Sequence, residues 1–101
     1  MSRIKDIKRT PPAVMEQVAA ALRVLAHPHR LRIVERLLER RHTVGELAEA
    51  LGIPPAACSQ HLSLMRAHGI LRSRRNGRVV LYEVAEPAAV TLIRCIHRHH
   101  T

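Results

Sequence analysis

The segment Thr43–Ile70, TVGELAEALGIPPAACSQHLSLMRAHGI, admits few arrangements. Val44, Leu47, Ala48 and Leu51 recur at helical spacing and give a first helix one apolar face. Gly52 stops that helix, and Pro54-Pro55 cannot continue it but can open another. In the second half Cys58, Leu62, Met65 and Gly69 share an inward face. Ser59, Gln60 and Ser63 point away, and His61 and Arg66 lie on the flanks. Two short helices therefore meet at a tight turn, and the second offers hydroxyl, amide and imidazole groups outward. Such groups, on about three turns of helix, suit base edges in a DNA major groove. Two amphipathic helices joined by glycine would serve any small domain equally well, so the flanking segments decide.

After Ile70 the period changes from helical to alternating. Ile70, Leu71, Val79, Val80, Leu81, Tyr82 and Val84 flank the charged run RSRRNGR. Asn76-Gly77 is a strong hairpin signal, because a primed two-residue turn needs positive φ. Strands over 71–75 and 78–84 follow from it. Arg72, Arg74, Arg75 and Arg78 then cluster near the tip, with only Glu83 opposing them farther along. Charge also protects solvated sheet edges. An all-arginine tip beside a helix-turn-helix reads instead as a wing laid along phosphates.

Upstream, Pro11-Pro12 opens a helix carrying Val14, Val18, Leu22 and Leu25 as an apolar stripe. His27-Pro28 breaks the chain, and a second helix over 29–41 is expected to bury Leu31, Val34, Leu37 and Leu38. Thr43 with Glu46 has the spacing of a capping box, which sets the start of the third helix. Glu86-Pro87 starts a last helix, apolar on two faces through Val90, Ile93 and Ile96 and through Leu92 and Cys95. The fold expected is mainly α with a β-hairpin: four helices, two strands and a fifth helix. Residues 1–10 read as a flexible N-terminal arm, a solvated tail rather than a phosphate contact, and 11–101 as one DNA-binding and dimerisation domain.

Composition adds two limits. The chain has one aromatic residue, Tyr82, and no Phe or Trp, so its core is aliphatic and modest for 101 residues. Such a core, with a last helix apolar on two faces, calls for a second subunit packed through the first and last helices. The formal net charge is +9, and fifteen of the seventeen Lys and Arg are Arg, a residue that grips phosphate through a planar fork of donors. No apolar run approaches the ~18 residues that span a bilayer, and the N-terminus lacks a signal-peptide core, so a cytoplasmic protein is expected with no membrane partner.

Three segments together resemble the ArsR/SmtB family of winged-helix bacterial repressors. "ALRVLAHPHRLRIVERL" looks like that family's helix, hinge and second helix; "TVGELAEALGIPPAACSQHLSLMRAHGIL" is similar to its recognition unit; and "RRNGRVVLYEV" matches its wing. The resemblance covers about residues 12 to 100. It implies a homodimer on a palindromic double-stranded DNA operator, released when a metal ion or an oxidant is sensed. Ser59, Gln60, His61 and Ser63 would then meet bases or phosphates, with Arg66 beside them, and Arg72, Arg74, Arg75 and Arg78 the flanking backbone.

The sensor is not legible. Where one branch of the family carries a Cys-x-Cys-like pair, this chain has Thr43-Val44-Gly45. Where another has Asp-x-His and a distant His, it has Glu86, Ala88 and His99, too few ligands for a tetrahedral zinc site. His97, His99 and His100 with Cys95 remain as a ligand set for nickel, zinc or copper shared across a dimer. Cys58 and Cys95 remain as a thiol switch, open to oxidation or persulfidation, although Cys58 falls on the inward face where a small hydrophobe would sit. No cofactor is certain from this, and no paired carboxylates, phosphate loop or activated nucleophile suggest an enzyme. The alternative to an effector-released repressor is an effector-independent winged helix that docks another protein. The outward polar row of the second helix argues against it.

Overall fold

Ile33, Val34, Leu47, Cys58, Leu62, Met65 and Ile70 are fully buried, and they come from three helices and the turn that precedes a strand. The computed structural model describes residues 8–100. Its order is α1 (Pro12–Leu25), α2 (Pro28–Glu39), α3 (Val44–Leu51), α4 (Pro55–Ala67), β1 (Leu71–Asn76), β2 (Val79–Val84) and α5 (Pro87–His100). The four helices, hairpin and closing helix expected from the sequence are all present. The expected N-terminal arm falls largely on residues 1–7, which lie outside the described residues.

Local chemistry sets most boundaries. Pro12, Pro28, Pro55 and Pro87 each stand at the first helical position, where a missing N–H costs nothing. The remaining helix, α3, opens with the capping box. The Thr43 hydroxyl accepts from the Glu46 N–H at 3.1 Å, and the Glu46 carboxylate accepts from the Thr43 N–H at 2.9 Å. Helices α3 and α4 end alike. Ile53 N–H reaches the Ala48 carbonyl and Ile70 N–H the Met65 carbonyl, with Gly52 and Gly69 in the left-handed conformation between. Gly69 is thus not on the inner face of α4, as its spacing suggested, but in the turn that seals it.

The hairpin differs from expectation by one residue. Asn76 pairs with Val79, so the connecting residues are Gly77 and Arg78 rather than Asn76 and Gly77. Among the described residues only glycines have positive φ, and Gly77 has φ 66°. That fits a type II′ turn, which needs the positive value only at its first central position. Arg78 consequently leaves the strand and sits in the turn itself.

Packing corrects two further readings. The face of α2 that meets the core is Ile33, Val34 and Leu37, with Leu31 and Leu38 only half-buried. The first helix is thinly held. It packs against α2 and α4 alone, and its stripe stays open, with Val14 41%, Val18 45% and Leu22 49% exposed while Leu25 is buried. Ile96 on α5 is likewise 43% exposed. A groove of about 230 Å³ between these helices is lined by Val14, Val18, Leu22, Ala88 and Leu92.

The capping box supplies a test. Thr43→Ala is expected to lower the unfolding free energy by about 1 kcal/mol, read from urea titration. The Thr43 N–H and then Arg40 hold the Glu46 carboxyl below the ordinary carboxylate range. A depressed carboxylate stabilises above its unfolded value, and that contribution is lost as pH falls through the folded one. Glu46→Gln should therefore flatten the acid side of the stability curve while leaving the alkaline side unchanged. An unaltered acid limb would remove Glu46 from the account.

Candidate nucleic-acid interface

The inner face of α4 is spaced at 58, 62 and 65, and burial of Cys58, Leu62 and Met65 fixes which way the other residues point. Ser59, Gln60, Ser63 and Arg66 are exposed, as the sequence requires of a reading face. No side chain caps the start of α4, so its leading N–H groups and the positive end of its dipole face outward. Arg66 donates to the Ser73 hydroxyl at 3.2 Å, joining the end of α4 to β1.

His61 does not stand with the free polar row. It is half-buried, and its Nδ1 accepts a hydrogen bond from Arg30 Nε at 3.1 Å. Its ring centroid lies 4.7 Å from that of His27 and 5.7 Å from that of His29. Burial, and then the neighbouring charges of His27, Arg30 and His29, hold its pKa below the usual histidine value. A neutral, tethered imidazole is what α4 presents at this position. Arg30 also donates to the Val24 carbonyl at 2.9 Å, so one guanidinium ties the end of α1 to the middle of α4.

The wing arginines divide into two sets. Arg72 and Arg74 lie on one strand face with Glu83, the cross-strand partner of Arg72. Arg72 Nε donates to Glu83 Oε2 at 2.7 Å, while Oε1 sits 3.3 Å from both Arg74 and Arg41 without an aligned hydrogen bond. The Arg72 hydrogen bond foremost, and then the nearby guanidinium charges, hold the Glu83 carboxyl below the ordinary range despite some opposing desolvation. Glu83 is thus not remote from the basic cluster but shared by two of its guanidinium groups and by that of Arg41. Arg75 and Arg78 are exposed near the turn and form no ion pair with any described residue. At the base, buried His42 exchanges backbone hydrogen bonds with Tyr82, adding a one-residue third strand that the sequence did not reveal.

The sensor residues are scattered. Cys58 is fully buried and desolvation pushes its thiol up, away from the thiolate a redox switch uses; Cys95 is exposed on α5. His97 is paired with Glu35 of α2, whose carboxyl it holds below the ordinary range together with Arg32. His99 and His100 are exposed on the last turn. Glu86 caps α5, accepting from the Ala88 N–H at 2.9 Å. Among the described residues of one protomer, the three metal-ligating side chains that converge are His27, His29 and His61, not the C-terminal set. In the sequence His27-Pro28-His29 marks only a helix break, so His27 and His29 carry no ligand signal of their own. Their nearness to His61, 32 residues or more along the chain, leaves no periodic trace.

Comparison with known proteins agrees with this geometry. A helix-turn-helix domain family matches residues 25–74. The chain is 40% identical over 76 residues to the HTH-type transcriptional repressor SmtB of Mycobacterium tuberculosis, covering 75% of this chain and 56% of that protein. It thus spans little more than half of that relative's length. It is 37% identical over 81 residues to the biofilm growth-associated repressor of Xylella fastidiosa, covering 80% of this chain and 71% of that one. Among solved structures, HlyU from Vibrio cholerae superposes with a TM-score of 0.81 at 28% identity, over 87% of this chain and 96% of the other. With these relatives, the helix-turn-helix and the arginine-bearing hairpin, the chain belongs to the ArsR/SmtB family of winged helix-turn-helix regulators.

Proposed function

We propose that the protein is a homodimeric transcriptional repressor that reads a palindromic operator with α4 and holds the flanking backbone with the wing. The observation that carries this reading is the exposed row Ser59, Gln60 and Ser63 on α4, together with Arg75 and Arg78, which form no ion pair among the described residues. An amide at Gln60 fits the paired donor and acceptor of adenine, and the serines adapt to either base type. The named repressor function of the mycobacterial and Xylella relatives supports the same conclusion. Two reading helices about 34–36 Å apart would engage successive turns of duplex.

The second subunit is assigned to α1 and α5. The open stripe of Val14, Val18 and Leu22, continued by Ile96, is a larger apolar face than a single small protomer needs to expose. The groove between α1 and α5 receives side chains of that size.

Gln60→Ala should weaken binding to the promoter fragment by about 1–3 kcal/mol and leave random DNA nearly unaffected. The double variant Arg75→Ala/Arg78→Ala should weaken both and flatten the salt dependence by about 0.9 per lost phosphate contact. Equal losses on both DNAs for Gln60→Ala would end the base-reading role. Val18→Glu, at an exposed site, should give a folded monomer by light scattering with promoter affinity reduced at least tenfold. A dimer that survives this change would place the interface elsewhere.

Freeing the base of the wing gives the opposite sign. Glu83→Gln removes the carboxylate shared by Arg41, Arg72 and Arg74, so affinity for random DNA should rise and the salt dependence steepen. A fall in affinity would mean that Glu83 chiefly holds those side chains in a binding posture.

A further inference from the structure

We propose that His27, His29 and His61 form a site for a borderline divalent transition-metal ion, and that filling it breaks the Arg30 clasp on α4. The second part rests on the operator-reading role of α4. The site lies at the corner between α1 and α2 and on α4, apart from the start of α3 and the length of α5, where the family resemblance would put metal ligands.

The three imidazoles each offer one ring nitrogen, and these atoms lie within 4.8 Å of one another. All three residues are half-buried, reachable by an ion yet partly shielded from water. Neutral imidazole is the ligand type that zinc, nickel, cobalt and copper share, and three of them leave a fourth position for water. Metal–nitrogen bonds of about 2.0–2.1 Å need the nitrogens about 3.3 Å apart, so the rings close by roughly 1.5 Å at most. Side-chain rotation supplies that much. His29 is the freest to move, because its side chain makes no hydrogen bond with any described residue.

The hydrogen bonds at His61 make occupation consequential. Arg30 Nε can only donate, so Nδ1 of neutral His61 is the acceptor and Nε2 carries the proton. A metal on Nε2 displaces that proton, and the neutral ring then carries its proton on Nδ1, facing the Arg30 donor. A metal on Nδ1 takes the acceptor lone pair outright. On either nitrogen, a metal-bound neutral His61 cannot keep the Arg30 bond. His27 follows the same logic, since its Nδ1 accepts the N–H of His29 at the start of α2. Metal binding therefore exchanges two hydrogen bonds for coordination. It releases the guanidinium that joins Val24 of α1 to α4.

Cobalt(II) is the probe, titrated into the 101-residue chain under reducing conditions. The expected result is one tetrahedral cobalt per protomer, without the sulfur-to-metal band that Cys95 would add. His29→Gln should weaken it at least tenfold, because loss of even an outer partner of a ligand costs about 10–100-fold. The combined His97→Gln/His99→Gln/His100→Gln variant should retain the site. His27→Asn, whose side-chain oxygen can still accept the His29 N–H, provides a second ligand removal should His29→Gln fail to fold by circular dichroism. Full cobalt affinity in a folded ligand variant, or its loss in the C-terminal variant, overturns the site.

The same proteins are titrated with promoter and random DNA. Cobalt should reduce promoter affinity at least tenfold in the wild type and leave His29→Gln unchanged, with equal affinities before metal. Unchanged promoter affinity in cobalt-loaded wild type overturns the coupling. Absence of promoter preference in the metal-free wild type would instead strike the operator-reading role, and the cobalt spectrum would still decide the site.

Discussion

Everything outside the centre of this molecule hangs on the seat of α4 against α2 and α3, made by Cys58, Leu62 and Met65 meeting Ile33, Val34 and Leu47. With no Phe or Trp to fill volume, only slim aliphatic side chains occupy that seat, and the helices must lie close. Close seating is what gives the outward residues of α4 a fixed bearing. Ser59, Gln60 and Ser63 need no support of their own, because rotating them out of register would expose three fully buried side chains.

The same shortage of bulk explains why α1 and α5 keep apolar surface in the open. The central helices exhaust the material available for a core, and what remains lies as stripes along the two outermost helices. In the proposed dimer, closing those stripes against a symmetry mate would place two copies of α4 at a set separation, so assembly and recognition would draw on one shortage.

The chain announces its helix starts openly. Four prolines and one Thr-x-x-Glu box are local devices, and local devices can be read from a string of letters. The turn at Gly77-Arg78 was misplaced by one residue because Asn-Gly is a favourable pair in its own right, whereas the register is settled by Asn76 facing Val79 across the ladder. Spacing alone favours Leu31 and Leu38 over Ile33, because which face of α2 is deepest depends on where α3 and α4 come to rest. The exposed row on α4 followed from periodicity. Long-range partners did not: the hold of Glu83 on Arg41 and Arg74, His42 against Tyr82, and the meeting of His27, His29 and Arg30 with His61 all join segments that no spacing rule connects.

Arg30 touches the last turn of α1 through the Val24 carbonyl and the second turn of α4 through His61. These are the helix assigned to hold the two subunits together and the helix assigned to enter the groove. In the proposed dimer, one planar guanidinium per protomer would stand between the subunit boundary and the helix proposed to read DNA. A tilt of α1 at that boundary would then reach α4 through two hydrogen bonds as well as through the aliphatic centre. The reach of one arginine would bear on the pitch at which each α4 meets the duplex.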